Sequence, residues 1–171
     1  ALSGRNNRVF LSLGGNLGDP RKSMASALRL LAGDDGADVV AVSSLYRTPP
    51  WGKLDQPDFL NAAAELSTSL SPHELLDLCL GTEKKLKRVR EERWGPRLID
   101  IDILVFGDRV IQETGLEVPH PRMLERAFVL APLAEIAPNL SVDGKSMSER
   151  LATVDTAGIE RLPSGRDWWL S

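Results

Sequence analysis

The sequence contains a single cysteine, Cys79, among its 171 residues. One thiol excludes an intramolecular disulfide framework and a zinc site built from several thiolates. The chain also lacks an excess of charge of either sign, since 21 lysines and arginines face 24 aspartates and glutamates and the net charge is -3. That balance provides no overall attraction to nucleic acid or to anionic membranes. A binding site for a polyanion would therefore have to be local.

Long hydrophobic runs are absent as well. No stretch approaches the ~20 apolar residues that span a bilayer, and residues 1–7 contain no hydrophobic signal-peptide core. With 42% hydrophobic residues, the length is typical of one globular domain that buries roughly two-thirds of its unfolded surface. We expect a soluble, cytoplasmic protein with a single domain over residues 1–171, a core at about 8–140 and a tail at 141–171 that the pattern leaves unassigned.

Hydrophobic periodicity predicts alternating strands and helices. The predicted strands cover residues 8–13, 39–46, 59–70 and 98–106. The helices are predicted to begin at Asp19-Pro20 and at Ser71-Pro72, where an N-capping side chain precedes a proline in the first turn. The order βαββαβ favours an α+β sandwich of the ferredoxin-like kind, with an antiparallel sheet, both helices on one face and a C-terminal extension. Residues 122–135 are predicted to be helical in part.

The glycine-rich segment 14–18 is predicted to form a tight turn after the first strand. A phosphate-binding loop is the alternative. That alternative is disfavoured because the segment lacks a Gly-Lys-Ser/Thr ending and opens onto Asp19, whose charge would oppose an anion at the helix N-terminus.

Two aspartates, Asp100 and Asp102, lie two residues apart in the fourth predicted strand. The period of two places both carboxylates on one face, about 7 Å apart. On the same face we expect the apolar residues Leu98, Leu104 and Phe106. Neighbouring carboxylates repel unless a cation lies between them, so the pattern predicts a site for a divalent cation such as Mg²⁺. A solvent-facing strand edge is the alternative.

Residues 83–97 form the densest run of charge, with seven lysines and arginines against three glutamates. A solvated helix end is one interpretation, because the helix dipole favours basic residues near the C-terminus. A phosphate site is the other, because arginine dominates from Arg88 onward and guanidinium groups match phosphate oxygens bidentately. Beside a carboxylate pair, such a segment is typical of phosphoryl transfer.

Phe59 and Asn61 share one face of the third predicted strand. An aromatic side chain beside a carboxamide suits a flat heteroaromatic ring with donor and acceptor edges, although Phe59 as a core residue is the alternative. His120 lies between two prolines, in a rigid segment that could present its imidazole to a phosphate, although a loop histidine without a role is the commoner case. His73 and Cys79 are interpreted as structural, and no Ser/His/Asp or Cys/His triad follows from this order.

Five ordered segments resemble one known family. They are SLGGNLGD at 12–19, YRTPP at 46–50, DQPDFLN at 55–61, RWGPRLIDID at 93–102 and VPHPRM at 118–123. Together they resemble hydroxymethyl-dihydropterin pyrophosphokinase, HPPK, of folate biosynthesis, from about Val9 to Pro138, and the R-W-G-P-R-x-x-D-x-D block is highly specific. The chain departs from the family pattern at Gly15, at Lys87 and after Pro138.

The resemblance implies a ferredoxin-like α+β monomer that transfers a pyrophosphoryl group from MgATP to the hydroxymethyl group of 6-hydroxymethyl-7,8-dihydropterin and releases AMP. It implies that two Mg²⁺ ions bind Asp100 and Asp102, which act in catalysis with Arg88 and Arg97. The implied ATP-binding residues are Glu83, Arg88, Arg90, Arg97, His120 and Arg126. The implied pterin-binding residues are Thr48, Pro49, Pro50, Phe59, Asn61, Trp94 and Phe128. Association with other folate enzymes is compatible with the resemblance, and no nucleic acid or membrane partner is expected.

An RNA-binding module of the same fold is the main alternative, with its arginines on RNA. The chain lacks the interleaved sheet aromatics on which such modules stack bases, and its net charge is unfavourable for this role. An inactive relative that acts as a scaffold is a third option, which the intact aspartate pair disfavours.

Overall fold

The computed structural model describes residues 6–50, 55–91, 99–122 and 125–170, with the backbone alone for residues 87–91. The strands are β1 (Asn7–Gly15), β2 (Ala37–Val42), β3 (Tyr46–Thr48), β4 (Phe59–Thr68), β5 (Asp100–Phe106), β6 (Ile111–Glu113), β7 (Leu116–Val118), β8 (Ser141–Val142), β9 (Lys145–Ser146) and β10 (Glu160–Arg161). The helices are α1 (Pro20–Ala32), α2 (Pro72–Glu91), α3 (Ala127–Ile136) and α4 (Met147–Leu151). Within the described ranges, no helix is long and apolar enough to cross a membrane.

Both predicted helix starts are confirmed by their caps. The Asp19 carboxylate accepts a hydrogen bond from the backbone N–H of Lys22 at 3.1 Å. Ser71 and Glu74 form the reciprocal pair of a capping box, at 2.8 and 3.1 Å. These bonds satisfy N–H groups for which the first turn of a helix has no internal partner. The helix predicted within residues 122–135 is α3, which begins at Ala127.

An antiparallel sheet forms the centre of the fold. β1 lies between β4 and β5, and β4 pairs on its other side with β2 and β3. β10 pairs with the outer edge of β3. Helices packed on an antiparallel sheet confirm the predicted α+β class.

Different helices cover the two faces of the sheet. α1 and α2 pack on one face, where Met24, Leu28 and Leu75 are buried in the larger hydrophobic cluster. α3 packs on the other face, where Leu130 is buried with Phe10 of β1. The two predicted helices therefore share a face, and α3 and α4 cover the face that carries the site described below.

The single strand predicted at 39–46 is wrong, because the ladder to β4 is interrupted between β2 and β3. The Ser43 hydroxyl accepts the backbone N–H of Ala63 at 2.9 Å, where a ladder carbonyl would otherwise accept it. The Ser43 carbonyl in turn accepts the indole N–H of Trp168 at 2.8 Å. A side chain and the C-terminal tail thus replace the ladder partners, and the strand divides in two.

The turn predicted at 14–18 begins later than expected. Gly14 and Gly15 belong to β1 and pair with Asn61 and Leu60 of β4. Pairing with strands on both sides extends β1 by two residues, and the positive φ of 63° occurs only at Gly18.

A β-bulge at Leu104 changes the faces of β5. Phe10 pairs with Val105 whereas Leu11 pairs with Ile103, so Leu104 is an extra residue on this strand. Leu104 and Val105 both pack against α3, and Phe106 is buried on the opposite face with α1 and α2. The expectation that Phe106 shares the face of the aspartates is therefore wrong, and it is confirmed for Leu104. Leu98 lies outside the described residues.

The tail, to which the sequence pattern assigns no structure, folds onto the core. A capping box is present at the start of α4, where Ser146 and Glu149 exchange hydrogen bonds of 2.8 and 3.1 Å. β10 extends the main sheet. Trp168 is 3% exposed and joins the cluster around α1. The tail therefore forms one edge of the sheet and part of the core.

Candidate active site

A pocket of about 260 Å³ opens on the α3 face of the sheet, at the ends of four neighbouring strands. Its floor is made by residues of the same face on β1, β3, β4 and β5, and its walls by α3 and the segment that follows β7. The lining residues are Ser12, Gly14, Thr48, Phe59, Asn61, Asp100, Asp102, Leu104, His120, Arg122, Arg126, Phe128 and Val129.

The register of the sheet brings the amide and one carboxylate into a single row. Gly14 of β1 lies between Asn61 on β4 and Asp100 on β5. A Cβ atom at Gly14 would lie 2.7 Å from the amide oxygen of Asn61, so only glycine leaves room for this amide. Asn61 is 5% exposed, and its side-chain NH₂ donates to the Thr48 hydroxyl at 3.1 Å. The buried amide is thereby held in one orientation.

Two aromatic rings border this row. Phe59 lies on β4, opposite Thr48 of β3, and Phe128 is the second residue of α3. Both rings are half-buried and line the pocket. The Arg126 guanidinium lies 5.6 Å from the centroid of the Phe128 ring. The rings and the amide together provide apolar faces and a polar edge for a flat ligand.

The two aspartates of β5 are exposed in the pocket. The strand between them is tied to α2, because the backbone N–H of Ile101 donates to the Glu83 carboxylate at 2.7 Å. No group of three histidine, cysteine, aspartate or glutamate side chains that could hold a metal occurs in the part of the chain that the structure describes. Two exposed carboxylates suit Mg²⁺, which binds through one or two carboxylates and completes its octahedron with waters and substrate phosphates.

The opposite wall of the pocket is cationic. The backbone N–H of His120 donates to the Leu104 carbonyl at 2.8 Å, which fixes the imidazole beside the bulge in β5. Nδ1 of His120 accepts the backbone N–H of Arg122 at 3.1 Å. The neutral ring therefore carries its proton on Nε2, which is left as a donor. Arg122 and Arg126 add two guanidinium groups to the lining of the pocket, that of Arg126 beside the Phe128 ring.

Two further cavities adjoin the pocket. One, of about 620 Å³, shares Thr48, Arg126 and Phe128 with it and is also lined by Pro49. The other, of about 220 Å³, meets it at Asp102 and His120. The lining of this 220 Å³ cavity is mixed: apolar side chains of Leu76, Ile101, Ile103, Leu116 and Pro121 alternate with Gly115 and with the polar groups of Asp102, Glu117 and His120. A ligand in the 260 Å³ pocket and a ligand in the 220 Å³ cavity would therefore meet at the carboxylate of Asp102.

The structure brings eight of the predicted site residues into the 260 Å³ pocket: Thr48, Phe59, Asn61, Asp100, Asp102, His120, Arg126 and Phe128. Pro49 is exposed on the adjoining cavity, Pro50 is half-buried next to it in the chain, and Glu83 lies behind β5. Arg88 and Arg90 are described only as backbone of α2. Trp94 and Arg97 lie outside the described residues.

Five other residues line the pocket. Leu104 was expected on the face of the aspartates without a site role, and sequence reasoning missed the other four: Ser12, Gly14, Arg122 and Val129. The period of two along β1 was the available signal for Ser12 and Gly14, and it was hidden because residues 14–18 were interpreted as a turn. Arg122 follows His120 within a quoted motif and was given no role.

The two residues interpreted as structural have contacts that fit this interpretation. Cys79 is 1% exposed, and burial together with the charges of Glu83 and Asp102 raises its pKa to about 12. The thiol is therefore protonated and unreactive at neutral pH. His73 lies 2.9 Å from Glu113 and connects the start of α2 to β6.

Comparisons with known proteins agree with this geometry. Residues 10–138 match the family model described as 7,8-dihydro-6-hydroxymethylpterin-pyrophosphokinase (HPPK). The 2-amino-4-hydroxy-6-hydroxymethyldihydropteridine pyrophosphokinase of Methylorubrum extorquens is 52% identical over 155 residues, which cover 91% of this chain and 98% of that protein. The enzyme of the same name from Pseudomonas aeruginosa is 46% identical, with 91% and 97% covered.

The fold also matches that of a solved structure. The wild-type HPPK-DHPS of Plasmodium falciparum superposes with a TM-score of 0.69 at 16% identity and covers 86% of this chain. This chain spans 44% of that longer chain, so the likeness concerns the fold of one part of it. A family match over most of the chain, high identity to two bacterial enzymes and a shared fold lead to one conclusion: the chain belongs to the 7,8-dihydro-6-hydroxymethylpterin-pyrophosphokinase family of folate biosynthesis.

Proposed function

We propose that this protein transfers the pyrophosphoryl group of MgATP to the hydroxymethyl oxygen of 6-hydroxymethyl-7,8-dihydropterin and that the 260 Å³ pocket is where the transfer occurs. The observation that carries the proposal is a slot for a flat ring and a pair of carboxylates in one pocket, joined by the row Asn61, Gly14 and Asp100. In the reaction, the hydroxymethyl oxygen forms a bond to the β-phosphorus and loses its proton to solvent. The bond between that phosphorus and the α,β-bridging oxygen breaks, and AMP leaves with this oxygen.

The pterin is assigned to the slot between Phe59 and Phe128. Burial of both faces of the ring provides affinity, and the fixed amide of Asn61 provides recognition of its polar edge. Thr48 orients that amide, and Pro49 and Pro50 continue the same segment. Trp94 is proposed as a further contact to the ring.

Phosphate binding is assigned to the opposite half of the pocket. Asp100 and Asp102 are proposed to hold two Mg²⁺ ions, and the donor set fits this cation. When bound, Mg²⁺ neutralises phosphate charge and orients the transferring group. The Nε2 proton of His120 is available to a phosphate oxygen, and Arg126 adds a guanidinium to the same pocket.

The nucleotide base is assigned to the 220 Å³ cavity, because this cavity meets the pocket at Asp102 and includes the apolar side chains of Leu76 and Leu116. The triphosphate would then extend from this cavity toward the carboxylates. Arg88, Arg90 and Arg97 are proposed to bind it, and Arg88 and Arg97 to act in catalysis. Glu83 is proposed to lie near the nucleotide and has a positioning contact in addition, since it holds the strand that carries both aspartates.

The proposal also includes the topology of the sheet, the number of domains, the oligomeric state, the location and the partners. A ferredoxin-like topology is supported by the strand order β2/β3, β4, β1, β5 with α1 and α2 on one face. A single domain, a monomeric state, a cytoplasmic location and association with other folate enzymes remain predictions. The family match favours the enzyme over an RNA-binding module or an inactive scaffold.

The test is the fate of ATP. Incubation with MgATP and the pterin alcohol, followed by separation of the nucleotides, is expected to yield AMP in equal amount to the pyrophosphorylated pterin. Omission of the pterin should suppress AMP release, which controls for hydrolysis. Formation of ADP instead of AMP, or AMP release independent of the pterin, would contradict the proposal.

A further inference from the structure

The C-terminal tail is joined to α3 through one buried carboxylate, that of Glu135. This side chain is 4% exposed and lies near the end of α3. It accepts hydrogen bonds from the backbone N–H of Ser44 at 3.0 Å, from the Tyr46 hydroxyl at 2.9 Å and from Nε of Arg166 at 2.6 Å. Arg161 lies 3.4 Å from the same carboxylate. Two guanidinium groups of the tail therefore neutralise a charge that is buried between α3 and β3.

The two elements joined by Glu135 are the two that carry the ring-binding residues. Phe128 precedes Glu135 by seven residues on α3, a distance of about 10 Å along the helix. Thr48 follows Tyr46 by two residues on β3, about 7 Å along the strand. Since β3 has only three residues, its own pairing with β4 is short, and its placement depends on what holds its other edge.

The tail also holds β3 directly. The backbone N–H of Leu162 donates to the Leu45 carbonyl at 2.8 Å, and the N–H of Leu45 donates to the Ser164 hydroxyl at 3.1 Å. Earlier in the tail, Gly158 has a φ of 85°, and a Cβ there would lie 3.2 Å from the ring of Pro49. The tail thus contacts this segment both before and after Thr48.

We infer that the segment from Gly158 to Trp168 is a positioning element for the ring slot, in which Arg166 and Arg161 lock β3 against α3 through Glu135 and so set the spacing between Thr48 and Phe128. The inference rests on the proposed assignment of the slot to the pterin. Arg166 touches neither substrate in this arrangement, so it is a positioning residue. The buried carboxylate makes the lock specific, because Glu135 without its arginines would be an uncompensated charge.

The expected signature is a selective loss of pterin binding. In Arg166→Ala, the Kd and KM for the pterin should rise about tenfold, the factor that corresponds to one lost charge-assisted hydrogen bond. The Kd for a non-hydrolysable ATP analogue should stay within about twofold, because none of the residues that line the 220 Å³ cavity belongs to β3 or the tail. Arg166→Lys should restore part of the affinity, since it keeps the charge and loses only the planar fork.

The matched control is Arg8→Ala. Arg8 makes an ion pair of the same kind, Nε to the Glu65 carboxylate at 2.9 Å, on the same sheet but away from the pocket. Each variant is titrated calorimetrically with the ATP analogue alone, and then with the pterin in the presence of saturating analogue. The two titrations measure the two affinities, and thermal unfolding measures stability. Arg8→Ala should leave both affinities within about twofold of the parent protein.

The outcomes are distinguishable. Selective pterin loss in Arg166→Ala, partial recovery in Arg166→Lys and no loss in Arg8→Ala support the inference. Equal loss of both ligands, or unchanged pterin affinity, overturns it. If Arg166→Ala fails to fold, Tyr46→Phe removes a single hydroxyl from the same carboxylate and must show the smaller, equally selective loss. If Phe128→Ala leaves pterin affinity unchanged, the slot assignment itself fails, whereas an effect of Phe128→Ala without one of Arg166→Ala refutes only the positioning role.

Discussion

Replacement of Gly14 by alanine should impair pterin recognition through a single added carbon. The new Cβ would lie 2.7 Å from the amide oxygen of Asn61, closer than Cβ atoms approach other heavy atoms. Neither partner can yield easily, because Gly14 is paired with strands on both sides and the amide is buried and bonded to Thr48. The amide must therefore rotate away and lose the 3.1 Å hydrogen bond to Thr48.

The magnitude follows from the lost contact to the ligand. A polar ring edge left without its partner costs about 1–3 kcal/mol, which corresponds to a loss of roughly 5- to 150-fold in pterin affinity. The hydrogen bond between Asn61 and Thr48 is lost in the free and the bound protein alike, so its loss instead lowers the free energy of unfolding by about 1 kcal/mol. Affinity for the ATP analogue should change by less than about twofold, since neither Gly14 nor Asn61 lines the 220 Å³ cavity.

Calorimetric titration with the pterin measures this effect, and Gly81→Ala is the matched control. Gly81 lies within α2, and nothing lies within 4 Å of the position of its Cβ. Gly81→Ala should therefore raise the free energy of unfolding by about 0.5–1 kcal/mol and leave pterin affinity unaltered. A folded Gly14→Ala protein that binds the pterin as tightly as the parent would refute the reasoning.

Four other predictions follow from the same contacts. Asp102→Asn should keep the fold, as judged by circular dichroism, and reduce kcat about 100-fold or more; a rate near that of the parent at limiting Mg²⁺ would exclude the proposed metal role. Phe128→Ala should weaken pterin binding by about 1–3 kcal/mol and leave ATP binding nearly unchanged, whereas equal losses would indicate a folding defect. Cys79, with a pKa of about 12, should react with a thiol reagent at pH 8 only as fast as the protein unfolds, and rapid labelling of the native protein would contradict its burial. Burial alone would raise the pKa of Glu135, but hydrogen bonds from Arg166, Tyr46 and Ser44 outweigh this effect and the net shift is downward. The carboxylate should therefore stabilise the fold at neutral pH, and the difference in the free energy of unfolding in urea between the parent and Glu135→Gln should shrink as the pH falls from about 4.5 through the lowered pKa. A difference that does not change with pH would contradict this role.

The sequence by itself determined the features that depend on neighbours in the chain. The caps at Asp19 and Ser71 require only side chains within three residues, and both are present. The spacing of Asp100 and Asp102 places both side chains in one pocket because strand geometry alternates faces over such short distances. The ordered motifs are specific enough to indicate the family without any tertiary contact.

Only the tertiary structure decided the features that depend on contacts between distant residues. The division of β2 from β3 depends on Ser43 and Trp168, which are 125 residues apart. The bulge at Leu104, which sends Phe106 to the opposite face, depends on the register with β1. The requirement for glycine at position 14 depends on the amide of Asn61 across the ladder. Hydrophobic periodicity depends only on residues of the same strand or helix. Register, bulges and the packing of the tail depend instead on which strands pair with each other.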